Sequence, residues 1–156
     1  MRNKCILIGL GNPIMGDDQL GLIVAERVHK HLPGFDLELS CYNPLDVVDR
    51  ISGYDKAVLI DSMVTGCFDP GTVKRVELDD NRTLHCSTSH GLDLARALRM
   101  ARACGACLPS EIQIYGIEVK NPFTVGEELC AELTGMLDAI VDTIVRDVSR
   151  GENCTN

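Results

Sequence analysis

Three acidic residues and one histidine carry the chemistry in this sequence. Asp17 and Asp18 are adjacent in the run Gly9-Leu10-Gly11-Asn12-Pro13-Ile14-Met15-Gly16-Asp17-Asp18-Gln19-Leu20-Gly21. Asp61 follows the apolar stretch Val58-Leu59-Ile60, and His90 lies in Ser87-Thr88-Ser89-His90-Gly91-Leu92. Asp18, Asp61 and His90 together make two carboxylates and an imidazole, a set that can hold a divalent cation and leave positions open for water or substrate. A cation held in this way polarises a carbonyl or activates a water. Each group also has a plainer reading. An acid of the first pair can cap a helix, a strand-end Asp can cap the next loop, and a His near a helix start can be purely structural. Only one side chain can occupy an N-cap, so capping uses one of the two acids and leaves the other.

The first loop is not built for a nucleotide. A dinucleotide turn needs Gly-x-Gly-x-x-Gly, whose third glycine lets the helix pack over the pyrophosphate. Ile14 stands in that place. No Gly-Lys-Ser/Thr follows, and Asp17 and Asp18 would repel a phosphate where a phosphate would sit. The expected contents of this loop are cations or protons.

These residues need elements to position them. An apolar run over 4–10 reads as a buried strand, and 19–32 as a helix with Leu20, Ile23, Val24, Val28 and Leu32 on one face. Residues 36–42 alternate as a strand. Asn43-Pro44 starts a short helix that turns Leu45, Val48 and Ile51 inward. Residues 56–61 form a further buried strand that ends on Asp61. After the Asp69-Pro70-Gly71 turn, 72–78 alternates again, and 79–88 is a polar loop. A helix follows over 90–104 with Gly105 as its cap, then a strand over 111–119 and a last helix over 125–148. Strands alternating with helices imply an α/β fold: a single domain, with a mainly parallel twisted sheet and helices on both faces. The expected domain spans 1–150, with a frayed tail over 151–156. In such a sheet, sites form at the carboxyl ends of strands, and Asp18, Asp61 and His90 come from three strand-to-helix junctions on that edge.

A net charge of −8 argues against a nucleic-acid partner, which needs a basic footprint. Arg96, Arg99 and Arg102 share one helix face and read as a solvated face. Eight cysteines occur without a signal peptide, and no apolar stretch approaches the ~20 residues of a membrane span. A reduced, cytoplasmic protein with no membrane partner is expected. Cys104-Gly105-Ala106-Cys107 is a C-x-x-C, but it falls at a helix end, without the dipole that lowers a thiol pKa at a helix start. Its thiols are expected to be packed and inert. Cys86, beside His85, is a weak candidate for a nucleophile, because adjacent residues rarely face each other. His29 and His31 read as solvated helix residues.

The order Gly-Leu-Gly-Asn-Pro, then Asp-Asp-x-x-Gly, then an Asp closing the third strand, then Ser-x-His-Gly-Leu resembles the hydrogenase maturation endopeptidases over nearly the whole chain. The resemblance implies a hydrolase, an aspartic-type, metal-recognising endopeptidase. Its site residues fall on Asp18, Asp61 and His90, which serve both as catalytic groups and as metal ligands. The implied partner is the precursor of a nickel-dependent hydrogenase large subunit. The enzyme docks on nickel already installed there and removes a C-terminal peptide. Nickel is then supplied by the substrate, no organic cofactor is needed, and the protein acts as a monomer. Within the pair, Asp18 is expected to face the site and Asp17 to be nearer to helix capping. One departure follows the second strand. Many family members carry a Gly-Thr-rich turn used in substrate recognition there, where this chain has Cys41-Tyr42-Asn43-Pro44-Leu45-Asp46. Two alternatives stand beside this reading. Peptidyl-tRNA hydrolase has a similar Gly-Leu-Gly-Asn-Pro opening, but its Arg-His-Asn element is replaced here by Gly16-Asp17-Asp18. A maturation scaffold without activity is the other.

Overall fold

The computed structural model describes residues 3–40, 43–76 and 91–152. The chain runs through β1 (Cys5–Leu10), a 3-10 turn (Gly16–Gln19), α1 (Leu20–His29), β2 (Phe35–Ser40), α2 (Pro44–Ile51) and β3 (Lys56–Met63). It continues through β4 (Val73–Val76), α3 (Gly91–Ala103), β5 (Glu111–Glu118) and α4 (Ala131–Glu152). The strands form a sheet in the order β2-β1-β3-β5-β4. All pairings are parallel except that of the edge strand β4, which runs antiparallel to β5. This is the α/β, mainly parallel sheet the alternating pattern predicts.

Central strands covered on both faces read as unbroken apolar runs, because both sets of alternating side chains are buried. Leu7, Val58, Ile60, Tyr115 and Ile117 pack under α1 and α4. Ile6, Ile8, Leu10, Leu59 and Ile114 point the other way and pack under α2 and α3. Among the described residues no helix is long and apolar enough to cross a membrane.

The chain leaves β1 through α1 for β2 on one side, then crosses through α2 to β3 on the other. The carboxyl ends of β1 and β3 therefore flank the point where the winding reverses. A crevice opens there in sheets of this kind, and the first glycine-rich loop and Asp61 both lie at it.

Several local expectations give way to tertiary structure. The last helix starts at Ala131, not near position 125. Residues 124–126 are held out of a helix by the first loop: Gly16 N donates to Gly126 O at 2.8 Å, and Gly126 N donates to Ile14 O at 3.0 Å. The same helix continues to Glu152, so Gly151 and Glu152 are helical rather than part of a frayed tail. Asn43 caps α2 as expected, its side chain accepting from Leu45 N at 3.0 Å. Leu45 itself is exposed, and Val47, Val48 and Ile51 form the buried face instead. Helix α1 stops at His29, a full turn before Leu32. His29 is half-buried rather than solvated, and its Nε2 meets the Phe35 carbonyl at 2.8 Å, tying the end of α1 to β2.

Candidate active site

The glycines of the first loop bring a helix start down onto two strand ends. A Cβ on Gly21 would collide with the Leu10 carbonyl and stand 2.7 Å from the Ile60 carbonyl. A Cβ on Gly11 would collide with the Asp18 carbonyl. Any larger residue at either position would push the 3-10 turn, and Asp18 with it, away from the sheet.

Asp18 is thereby fixed above the β1–β3 crevice. Its Oδ2 accepts from Asn12 N at 3.1 Å, and its Oδ1 accepts from the Ser62 hydroxyl at 3.2 Å. Asp61 lies inside β3 rather than at its end, since the strand continues to Met63. Strand alternation turns its side chain to the α2–α3 face, the side to which Leu59 also points. It is almost wholly buried, at 7% exposure, and its Oδ1 accepts from Ser62 N at 2.8 Å. Ser62 thus holds both carboxylates, Asp18 through its hydroxyl and Asp61 through its backbone N–H.

Crowding of this kind has an electrostatic consequence. Burial raises the Asp61 carboxyl from the ordinary 3.8 to about 8, the negative charge of Asp18 adds to the rise, and the Ser62 N–H opposes it. Burial and the nearby Asp18 charge both disfavour the ionised form, so Asp61 holds its proton more tightly than an ordinary carboxyl.

Asp17 does something the sequence does not suggest. It makes no capping hydrogen bond to its own helix. It is buried, and its Oδ1 accepts from Cys130 N at 2.9 Å, which pins the segment before α4 against the first loop. The two adjacent acids therefore diverge, Asp18 toward the crevice and Asp17 toward the 121–130 segment. His90 lies outside the described residues, as do Cys41, His85 and Cys86. Among the described residues, no group of three His, Cys, Asp or Glu side chains is placed to hold a metal ion. Cys104 and Cys107 are exposed, not packed as expected, and both are free thiols. They follow the last turn of α3 on the amino side of the sheet, where Cys107 O accepts from Gly53 N and from the Ser52 hydroxyl. Sequence reasoning missed Ser62 and Asn12. Only the position of Ser62, directly after the acid, hinted at its part.

A mainly parallel α/β sheet with a carboxylate pair at its switch point frames the site. Its family follows from comparison. The hydrogenase maturation protease family matches residues 42–147, a span that includes Asp61 and His90 and leaves Asp18 outside. The chain belongs to that family and is a hydrolase. No curated protein matches it in sequence. Among solved structures, it is similar to the hydrogenase maturating endopeptidase HybD from E. coli, with a TM-score of 0.72 at 16% identity over 95% of this chain and 93% of that one. It is similar to the [NiFe] hydrogenase maturation protease HybD from Thermococcus kodakarensis, with a TM-score of 0.71 at 19% identity over 92% and 97%. The hydrogenase maturation protease HycI from Thermococcus kodakarensis KOD1 gives a TM-score of 0.66 at 21% identity over 92% and 91%. At these identities the likeness establishes a shared fold. The peptidyl-tRNA hydrolase alternative is set aside by the family match.

Proposed function

We propose that this chain removes the C-terminal peptide of a nickel-loaded hydrogenase large-subunit precursor, with Asp18, Asp61 and His90 as the groups that meet the nickel. The observation that carries this reading is the carboxylate pair at the β1–β3 crevice, bridged by Ser62. Opposed carboxylates that hold a proton in place of a cation release it when a divalent ion arrives, since the ion relieves their repulsion. Oxygen and imidazole donors discriminate poorly among first-row ions. Selection must then come from the partner, and nickel already fixed in the precursor supplies it.

The start of helix α3 supports His90 as the proposed third ligand. Helix α3 ends on the amino side, beside Gly53, and its 13 residues span about 20 Å back along the sheet. Gly91, its first residue, is therefore on the carboxyl side, on the face to which Asp61 points. His90 immediately precedes it in sequence. Docking on the installed nickel brings the C-terminal peptide of the precursor to the sheet edge for hydrolysis.

The test is to follow release of the C-terminal peptide by mass, using nickel-loaded precursor with the wild type and with Asp18→Asn, Asp61→Asn and His90→Gln. Each variant is expected to fold and to lose processing by at least about a hundredfold. Processing by Asp18→Asn or Asp61→Asn at the wild-type rate would remove the pair from the mechanism.

A further inference from the structure

A second feature lies on the far side of the 3-10 turn that carries Asp18. The first loop and the 121–130 segment are stitched together by Gly16 N–Gly126 O and Gly126 N–Ile14 O hydrogen bonds and by the Asp17–Cys130 contact. Between them is an open cleft of about 670 Å³, whose walls include Gly16, Asp17, Glu127, Glu128 and Cys130. Three large apolar side chains stand on these same loops with nothing to cover them: Ile14 at 56% exposure, Phe123 at 66% and Val125 at 80%. Exposed apolar groups scattered singly need no explanation. Three gathered on two paired loops beside a cleft mark a docking surface.

The charge around the cleft says what docks. The whole chain carries −8. Lys120, the cation near this segment, is matched by Glu132 at 3.6 Å. Glu127 and Glu128 are exposed on the cleft wall and make no ion pair among the described residues. An apolar strip edged by unmatched carboxylates complements a segment that carries apolar side chains together with Lys or Arg.

We propose that this cleft and its apolar rim receive an extended, basic and apolar C-terminal segment of the precursor. The cleft and the crevice lie on either side of one turn, because Asp17 and Asp18 are consecutive, Asp17 bonded to Cys130 and Asp18 to Ser62. A segment lying along Ile14, Phe123 and Val125 would pass beside the turn that carries Asp18. The surface supplies recognition of the polypeptide that a bare nickel contact lacks. This assignment rests on the proposed processing activity.

The experiment measures both binding and cleavage of purified nickel-loaded precursor. Two variants are used: Ile14→Ser/Phe123→Ser/Val125→Ser, and Glu127→Lys/Glu128→Lys. All five positions are exposed, so thermal denaturation is expected to show each variant folded, with stability close to that of the wild type. The apolar variant is expected to bind at least tenfold more weakly and to raise KM with kcat little changed. The charge-reversed variant is expected to bind more weakly and to lose most of the salt dependence of binding. If the wild type cleaves the precursor and both variants match its Kd and KM, the surface is wrong and the protease reading stands. If the wild type binds through this surface, weakened by both variants, yet never cleaves, the surface stands and the protease reading falls. Absence of both binding and cleavage by the wild type overturns both.

Discussion

Two carboxylates are buried on neighbouring strands at the same edge of the sheet, and they are treated in opposite ways. Glu118 ends β5 at 2% exposure and accepts from Thr65 N at 2.9 Å, Gly66 N at 2.9 Å and the Thr65 hydroxyl at 2.7 Å. It fastens the turn that follows β3. Asp61, two strand positions before Met63, the residue that faces Glu118, accepts from Ser62 N and confronts Asp18. One carboxylate is surrounded by donors and serves the fold. The other, among the described residues, accepts from one backbone N–H and has the negative charge of Asp18 nearby, an arrangement that costs stability and suits chemistry. Burial alone does not mark a functional acid. What its neighbours offer it does.

The sharpest way to break this contrast is to remove each carboxylate in turn. Glu118→Ala leaves the Thr65 and Gly66 N–H groups without an acceptor, and unfolding in denaturant is expected to show a loss of about 2–4 kcal/mol. Processing per folded molecule should stay within about threefold of the wild type, since Glu118 touches neither carboxylate of the pair. Asp61→Asn is expected to do the reverse, with stability kept near neutral pH and processing lost. If both variants lost stability equally, Asp61 would be one more structural acid.

Stability as a function of pH sharpens the same contrast. The folded value for Asp61, about 8, is above its ordinary value of 3.8, so the folded chain binds this proton more tightly than the unfolded chain. Its contribution is complete below 3.8 and is lost as pH rises through 8. Denaturant titrations between those limits should show the wild type weakening relative to Asp61→Asn as pH increases. Parallel curves would mean that Asp61 is not held protonated.

Smaller effects are expected around the pair. Ser62→Ala removes the hydroxyl that holds Asp18, and should slow turnover by about tenfold while costing about 1 kcal/mol of stability. A change confined to stability would make Ser62 a packing residue. Cys104→Ser/Cys107→Ser should alter neither processing nor stability beyond about 0.5 kcal/mol, because both thiols are exposed on the opposite edge. Loss of processing with the fold retained would revive a redox role.

Periodicity made the architecture legible. Apolar runs such as Val58-Leu59-Ile60 and alternation between strands and helices are local, and local signals fix fold class and edge. The placement of Asp18 and Asp61 at the carboxyl edge was legible for the same reason, since that edge can be read from element order. What escaped was set at long range. Asp17 reads as a helix cap, but its partner Cys130 is 113 residues away. Residues 125–130 read as helix, but the first loop takes the backbone of Gly126 and the Cys130 N–H. Ser62 reads as an ordinary strand residue until its two bonds are seen together.

The most direct test of the central claim offers metal-stripped protein two forms of one large-subunit precursor, nickel-loaded and nickel-free, and follows the C-terminal peptide by mass. A site of two carboxylates and an imidazole has no thiolate and should hold free divalent ions weakly. Cleavage of the nickel-loaded form and none of the nickel-free form is the expected result. Equal cleavage of both, or activity that returns only when the protein itself is given zinc, would contradict recognition of nickel by Asp18 and Asp61.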